Sequence, residues 1–168
     1  MAYVINENRA GGQPFSATST TAKHALRERV KIVDSSNGEG QAIYAKASAA
    51  ILAYDTVFIK STGFAAKITD ALAKTGIGDV AVAQGAFAAD EYGWFMTHGA
   101  GGLARLTSAT EKNVALYVNA SAGVLSGATA SNLILGINAV TSVTTTVGAV
   151  TCVMNGLLIV RSANLLQI

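Results

Sequence analysis

One cysteine, one proline, one tryptophan and two histidines are spread over 168 residues, and charged side chains make up only 13% of the chain. Each shortage removes a class of explanation. A single thiol, Cys152, makes no disulfide within the chain and no zinc site, and its neighbours in TVGAVTCVMNG mark it as a small buried hydrophobe. His24, His98 and Cys152 are scattered, so neither a metal centre nor a nucleophile–base pair is expected. Asp90 and Glu91 are adjacent and would face opposite ways on a strand. The serines sit in turn contexts such as S-S-N-G, with no G-x-S-x-G elbow. GAGG (99–102) and TGIGD (75–79) match no phosphate-binding loop, and their glycines read as tight connections. Asp34, Glu39, Asp70, Asp79 and Asp90 read as exposed turn acids, and Trp94 alone makes no sugar platform. No catalytic residue, cofactor, metal or small-molecule substrate is therefore expected.

The shortage of charge has consequences of its own. The fraction is about half that of an average globular domain, and the net charge of +2 is too small to point to nucleic acid or an acidic membrane. From Asn113 to Ile168 the only charged side chain is Arg161. That third of the chain is either the centre of the fold or lies partly against other subunits. A membrane span does not fit it: residues 140–160 are rich in Thr and β-branched residues and are interrupted by Asn155 and Gly156. The start, MAYVINENRAGGQPF, lacks the basic-then-apolar order of a secretory signal.

What is present is a series of short apolar runs cut by Gly, Asn, Asp and Ser. The runs begin with VKIVDS (30–35), QAIYAKA (41–47), DTVFIKS (55–61), FAAKIT (64–69) and DVAVAQGAF (79–87). They continue through YGWFMTHG (92–99), LARLTS (103–108), VALYVNA (114–120), NLILGINAV (132–140), VTTTVGAVTCVM (143–154) and LLIVRSA (157–163). Strands at this spacing predict a mainly β protein: a compact β-barrel or β-tulip-like domain over residues 31–168, with one or two short helices. The helix candidates are TDALAK (69–74) and SATEKNVAL (108–116), the second with Ser108 and Glu111 in capping-box spacing. Much of the apolar content is alanine, a poor strand former, which predicts close approach of strands or packing around a crowded axis.

Residues 1–30 differ in texture. They are polar and Gly-rich around Pro14, and a short helix over 22–30 would bury only Ala22, Ala25, Leu26 and Val30. This segment is expected to be an extended N-terminal arm that needs a partner surface. Its cations, Arg9, Arg27 and Arg29, are the candidates for meeting an acidic partner. In GAFAADEYGWFMTHGAGG (85–102), Asp90 and Glu91 supply a turn. Tyr92, Trp94 and Met96 share one strand face as core or subunit contact, and His98 with GAGG ends the strand.

The segments DVAVAQGAFAADEYGWFMTHG, LARLTSATEKNVALYVNASAGVLSG and NLILGINAVTSVTTTVGAVTCVM, over roughly residues 40–160, resemble capsid decoration (cement) proteins of tailed bacteriophages, with EYGW (91–94) the sharpest piece. The resemblance implies a non-enzymatic structural protein of the virion, made in the host cytoplasm and seated on the outer surface of the capsid. It implies a homotrimer that clamps neighbouring major capsid proteins, with no nucleic acid or membrane as partner. A tail, baseplate or receptor-binding β-protein shares the composition and is the alternative.

Overall fold

The computed structural model describes residues 4–5, 15–34, 37–107, 109–128, 132–143 and 147–161. It is mainly β, with a closed five-stranded barrel, further strands beside it and one short helix. The strands are β1 (Val4–Ile5), β2 (Arg29–Asp34), β3 (Gly38–Ala47), β4 (Thr56–Lys60), β5 (Phe64–Lys67) and β6 (Gly78–Ala83). After these come β7 (Tyr92–Leu106), β8 (Leu116–Val118), β9 (Leu125–Ser126), β10 (Asn132–Ala139) and β11 (Gly148–Arg161). The helix α1 (Asp70–Thr75) lies between β5 and β6. Thr69 starts it by accepting the Leu72 amide, and Asp70 and Lys74 complement the two ends of its dipole.

The barrel runs β3-β5-β4-β6-β7 and closes through β3–β7 pairing, from Gln41 opposite His98 to Lys46 opposite Tyr92. A second circuit, β7-β11-β10-β8-β9, returns to β7 through the parallel pair Leu106 and Leu125. Side-chain alternation sorts the residues around the first ring. Ile43, Ala45 and Ala47 of β3, Val57 and Ile59 of β4, Ala65 of β5, Ala81 and Ala83 of β6, and Phe95 of β7 form one buried cluster. Ile51 and the stacked ring of Phe87, 4.5 Å from Phe95, complete it. A ring of only five strands leaves little room at its axis, so small side chains alternate with a few large ones. The crowded axis that the alanines predict is thus the interior of a single chain's barrel.

The even-numbered residues of the same strands, Ala42, Tyr44, Phe58, Val80, Val82, Trp94 and Met96, belong to a second core. That core continues through Ile32 of β2 and the inward faces of β8 to β11, including Leu116, Ile134, Ile137, Cys152 and Met154. Two cores back to back, sharing β3, β4, β6 and β7 as a wall, hold the chain together.

Four expectations are corrected. His98 and GAGG do not end a strand, because β7 runs through them to Leu106; Gly99 (φ 131°) and Gly101 (φ 78°) absorb a bulge opposite Cys152 and Val153. Residues 108–116 form no helix where described: Ala109 and Asn113 take positive φ, and Thr110 bridges Val143. Residues 22–30 are not helical either, since Arg27 (φ 68°) turns the chain into β2. The described part of the N-terminal segment is no extended arm. Phe15 is 3% exposed in the second core, Ser19 bridges Tyr92, and the chain crosses the barrel wall as a strap to Val30, itself buried.

Candidate interaction surfaces

The strap is held where EYGW lies. Ser19 and Tyr92 exchange two backbone hydrogen bonds of 3.0 and 2.7 Å, and Arg27 and Glu28 exchange another pair with Tyr44. The Lys23 amide donates to the Tyr44 hydroxyl at 3.1 Å. His24 inserts between two rings, its centroid 5.1 Å from Tyr44 and 5.0 Å from Trp94, while its Nδ1 lies 3.5 Å from the Glu28 carboxylate. Tyr44 meets Trp94 edge-on at 4.9 Å. Trp94 and Met96 are 1% and 0% exposed within one chain, and Tyr92 packs against the same core partly buried. All three stand on one face, as the alternation of the sequence requires, and the two buried ones are core rather than a free contact surface. Gly93 is fixed by crowding: a Cβ there would stand 2.6 Å from the Phe87 ring and 3.1 Å from the Ala17 carbonyl oxygen of the strap. Asp90 (φ 67°) and Glu91 build the turn before β7, with Glu91 accepting the Ala88 amide. Asp90 pairs with Lys46 at 2.7 Å, a bond that holds the ammonium proton more firmly than usual.

Arg27 and Arg29 come together at one mouth of the barrel. Their guanidinium groups each lie 2.7 Å from a different oxygen of Asp79, and Arg27 also donates to the Ser61 carbonyl at 3.3 Å. Asp79 shares the inward parity of Ala81 and Ala83, so it stands at the end of the barrel axis, where the two arginines cover it. It is a strand residue with two ion pairs rather than an exposed turn acid. The arginines are half-exposed, and one carboxylate leaves the pair of them with a surplus positive charge. Arg9 lies outside the described residues.

The opposite mouth carries a matching group that sequence reasoning missed. Asp55, one residue before β4 and inward by the parity of Val57 and Ile59, is 0% exposed. It lies 2.6 Å from Arg105 of β7 and 3.8 Å from Lys67 of β5, and accepts the Leu52 amide at 2.9 Å. Arg105 also donates its backbone N–H to the Tyr54 carbonyl. Both ends of an apolar barrel are therefore closed by one aspartate between two cations. The signal in the sequence was slight: an acid two residues ahead of an inward Val in DTVFIKS.

Burial of Cys152 pushes its thiol up to about 12, which keeps it neutral and unreactive. Among the described residues no three His, Cys, Asp or Glu side chains gather to hold a metal, and no helix is long and apolar enough to cross a membrane.

The outward face of β10 and β11 has a different character. Leu135 and Val140 are 44% and 47% exposed, with Leu133 half-buried and Asn138 exposed on the same strand. Across the pairing, Ala149 is exposed and Thr151 and Val153 are half-buried, and Val147 at the hairpin end is 47% exposed. No charged side chain stands among these described residues, and Arg105 of β7 lies opposite Ala149 at their edge. Compared with known proteins, the chain matches no family model, no curated relative and no solved structure.

Proposed function

We propose that this chain is a structural protein of a bacteriophage virion that decorates and cements the outer surface of the capsid. In this reading it sits as a homotrimer on neighbouring major capsid proteins. The observation that carries the proposal is the uncharged outward face of β10 and β11, within a third of the chain that holds one charged residue. A face of this kind is poorly matched to water and well matched to a repeated protein contact. The filled barrel supports the same reading. Its axis is occupied by Ala, Ile, Val and Phe side chains and both mouths are closed by ion pairs, which makes a rigid block. Rigid blocks resist load through many modest contacts, and three copies acting together multiply a weak contact by raising its effective concentration.

The test has two stages. Light scattering at micromolar concentration is expected to give three times the 17.1 kDa chain mass. Sedimentation with undecorated capsids of the virus that encodes the chain is expected to carry the protein into the pellet at saturating stoichiometry. A monodisperse 17 kDa particle that stays in the supernatant overturns the proposal.

A further inference from the structure

We propose that the barrel mouth built by Ile77, Lys60, Lys74, Arg27 and Arg29 is the surface that grips the shell protein, and that its partner there is an acidic surface with an apolar socket. The inference rests on the decorating role proposed above and names the face that performs it.

Ile77 is 81% exposed, far more than Leu52 at 51% or Val140 and Val147 at 47%. A single exposed isoleucine is ordinary on a protein surface. This one is presented rigidly. It stands between Gly76 and Gly78, and both glycines are pressed against the fold. A Cβ on Gly76 would come within 2.6 Å of the Phe58 ring and the Leu72 carbonyl oxygen, and one on Gly78 would collide with the Ile59 carbonyl oxygen. The Gly76 amide closes α1 on Leu72 at 2.8 Å, and Gly78 is paired with Lys60 in the β4–β6 ladder. With both flanks pinned inward, the side chain between them projects outward. A pre-positioned aliphatic anchor loses little conformational freedom on docking.

Cations lie close to it in chain and register. Lys60 lies opposite Gly78, one residue from Ile77; Lys74 is three residues ahead of it, and Arg27 and Arg29 meet on Asp79, two residues beyond. Two carboxylates stand among these four cations, Asp79 under the arginines and Asp70 beside Lys74 at 2.6 Å. Over these six groups the surplus is +2, and Glu28, between the two arginines in the chain, lies 3.5 Å from His24. Charge complementarity therefore calls for an acidic partner, with the apolar contact at the centre and the charges at the edge. The uncharged β10–β11 face is left for contacts between copies.

The test is co-sedimentation of full-length variants with undecorated capsids at low and moderate salt, with melting curves and light scattering as controls on the fold. Ile77→Asp is expected to weaken capsid binding by about tenfold or more, with melting and particle size unchanged, while Ile77→Val binds nearly as wild type. Lys60→Glu is expected to weaken binding at low salt and to flatten its salt dependence. Wild-type binding retained by both Ile77→Asp and Lys60→Glu overturns the inference and leaves the decorating role standing. Failure of the wild-type protein itself to bind overturns both.

Discussion

Removing the Arg105 guanidinium while keeping the bulk of its stem, as in Arg105→Met, isolates the contribution of the ion cluster at the second barrel mouth. Asp55 is fully buried and would lose its 2.6 Å partner. The Leu52 amide at 2.9 Å and the Lys67 ammonium at 3.8 Å would remain. Breaking a buried pair from one side costs about 3–5 kcal/mol, because a charge is left uncompensated. Lys67 is 32% exposed and Arg105 26%, so water and the lysine both reach the site, which brings the expected loss down to roughly 2–4 kcal/mol. Equilibrium urea unfolding followed by tryptophan fluorescence reads this as a lower midpoint at unchanged slope. Asp55→Leu combined with Arg105→Met removes both charges, and the pair is expected to be more stable than the sum of the single losses predicts. An Arg105→Met protein within about 0.5 kcal/mol of wild type would refute the reasoning, since that is the range of an ordinary surface substitution.

Trp94→Ala is expected to cost roughly 3–5 kcal/mol by opening a cavity against Tyr44 and His24. Trp94→Phe is expected to cost less, because the indole N–H has no hydrogen-bond partner among the described residues; equal melting temperatures for Trp94→Ala and wild type would show that the ring is not packed. Cys152 is expected to resist thiol reagents in the native protein and to react on unfolding. Its folded-state value is raised to about 12 from 9.0, so above pH 9 the unfolded chain gives up this proton first. Stability therefore falls between about pH 9 and 12, and Cys152→Ala is expected to lose part of that fall. A pH profile identical for the two proteins would count against it.

Local pattern made much of this fold legible. The runs at 55–61 and 64–69 correspond to β4 and β5, and Thr69 with the alanine-rich DALAK marked the one helix, because period and capping are written in adjacent residues. Glycine was harder to read. GAGG and the Asn155–Gly156 pair look like turns, yet both lie inside long strands, where positive φ serves a bulge instead of a reversal. Leu125 and Ser126 sit in a turn-like context but form β9, pairing with nearby β8 and with Leu106 of β7, a partner outside their local window. The strap was hidden for a related reason. Phe15, His24 and Val30 anchor it at spacings that fit neither helix nor strand, so counting the apolar residues of one helical face found Val30 and missed Phe15 and His24. Of the candidate residues, Arg27 and Arg29 were visible as charges, but their shared carboxylate Asp79 lies fifty residues or more away in sequence. No window of sequence contains that triangle.

Because β7 belongs to both circuits of strands, it acts as a common seam. Its first half supplies the edge that closes β3 to β6 into a barrel, and its second half is the base on which β11 is laid and to which β9 returns. A nick, a proline or an insertion inside Tyr92–Leu106 would therefore open two rings at one stroke, whereas damage to β8 or β9 opens only the second. Under load, such a seam passes tension directly from one half of the fold to the other, along covalent backbone with no side-chain joint between them.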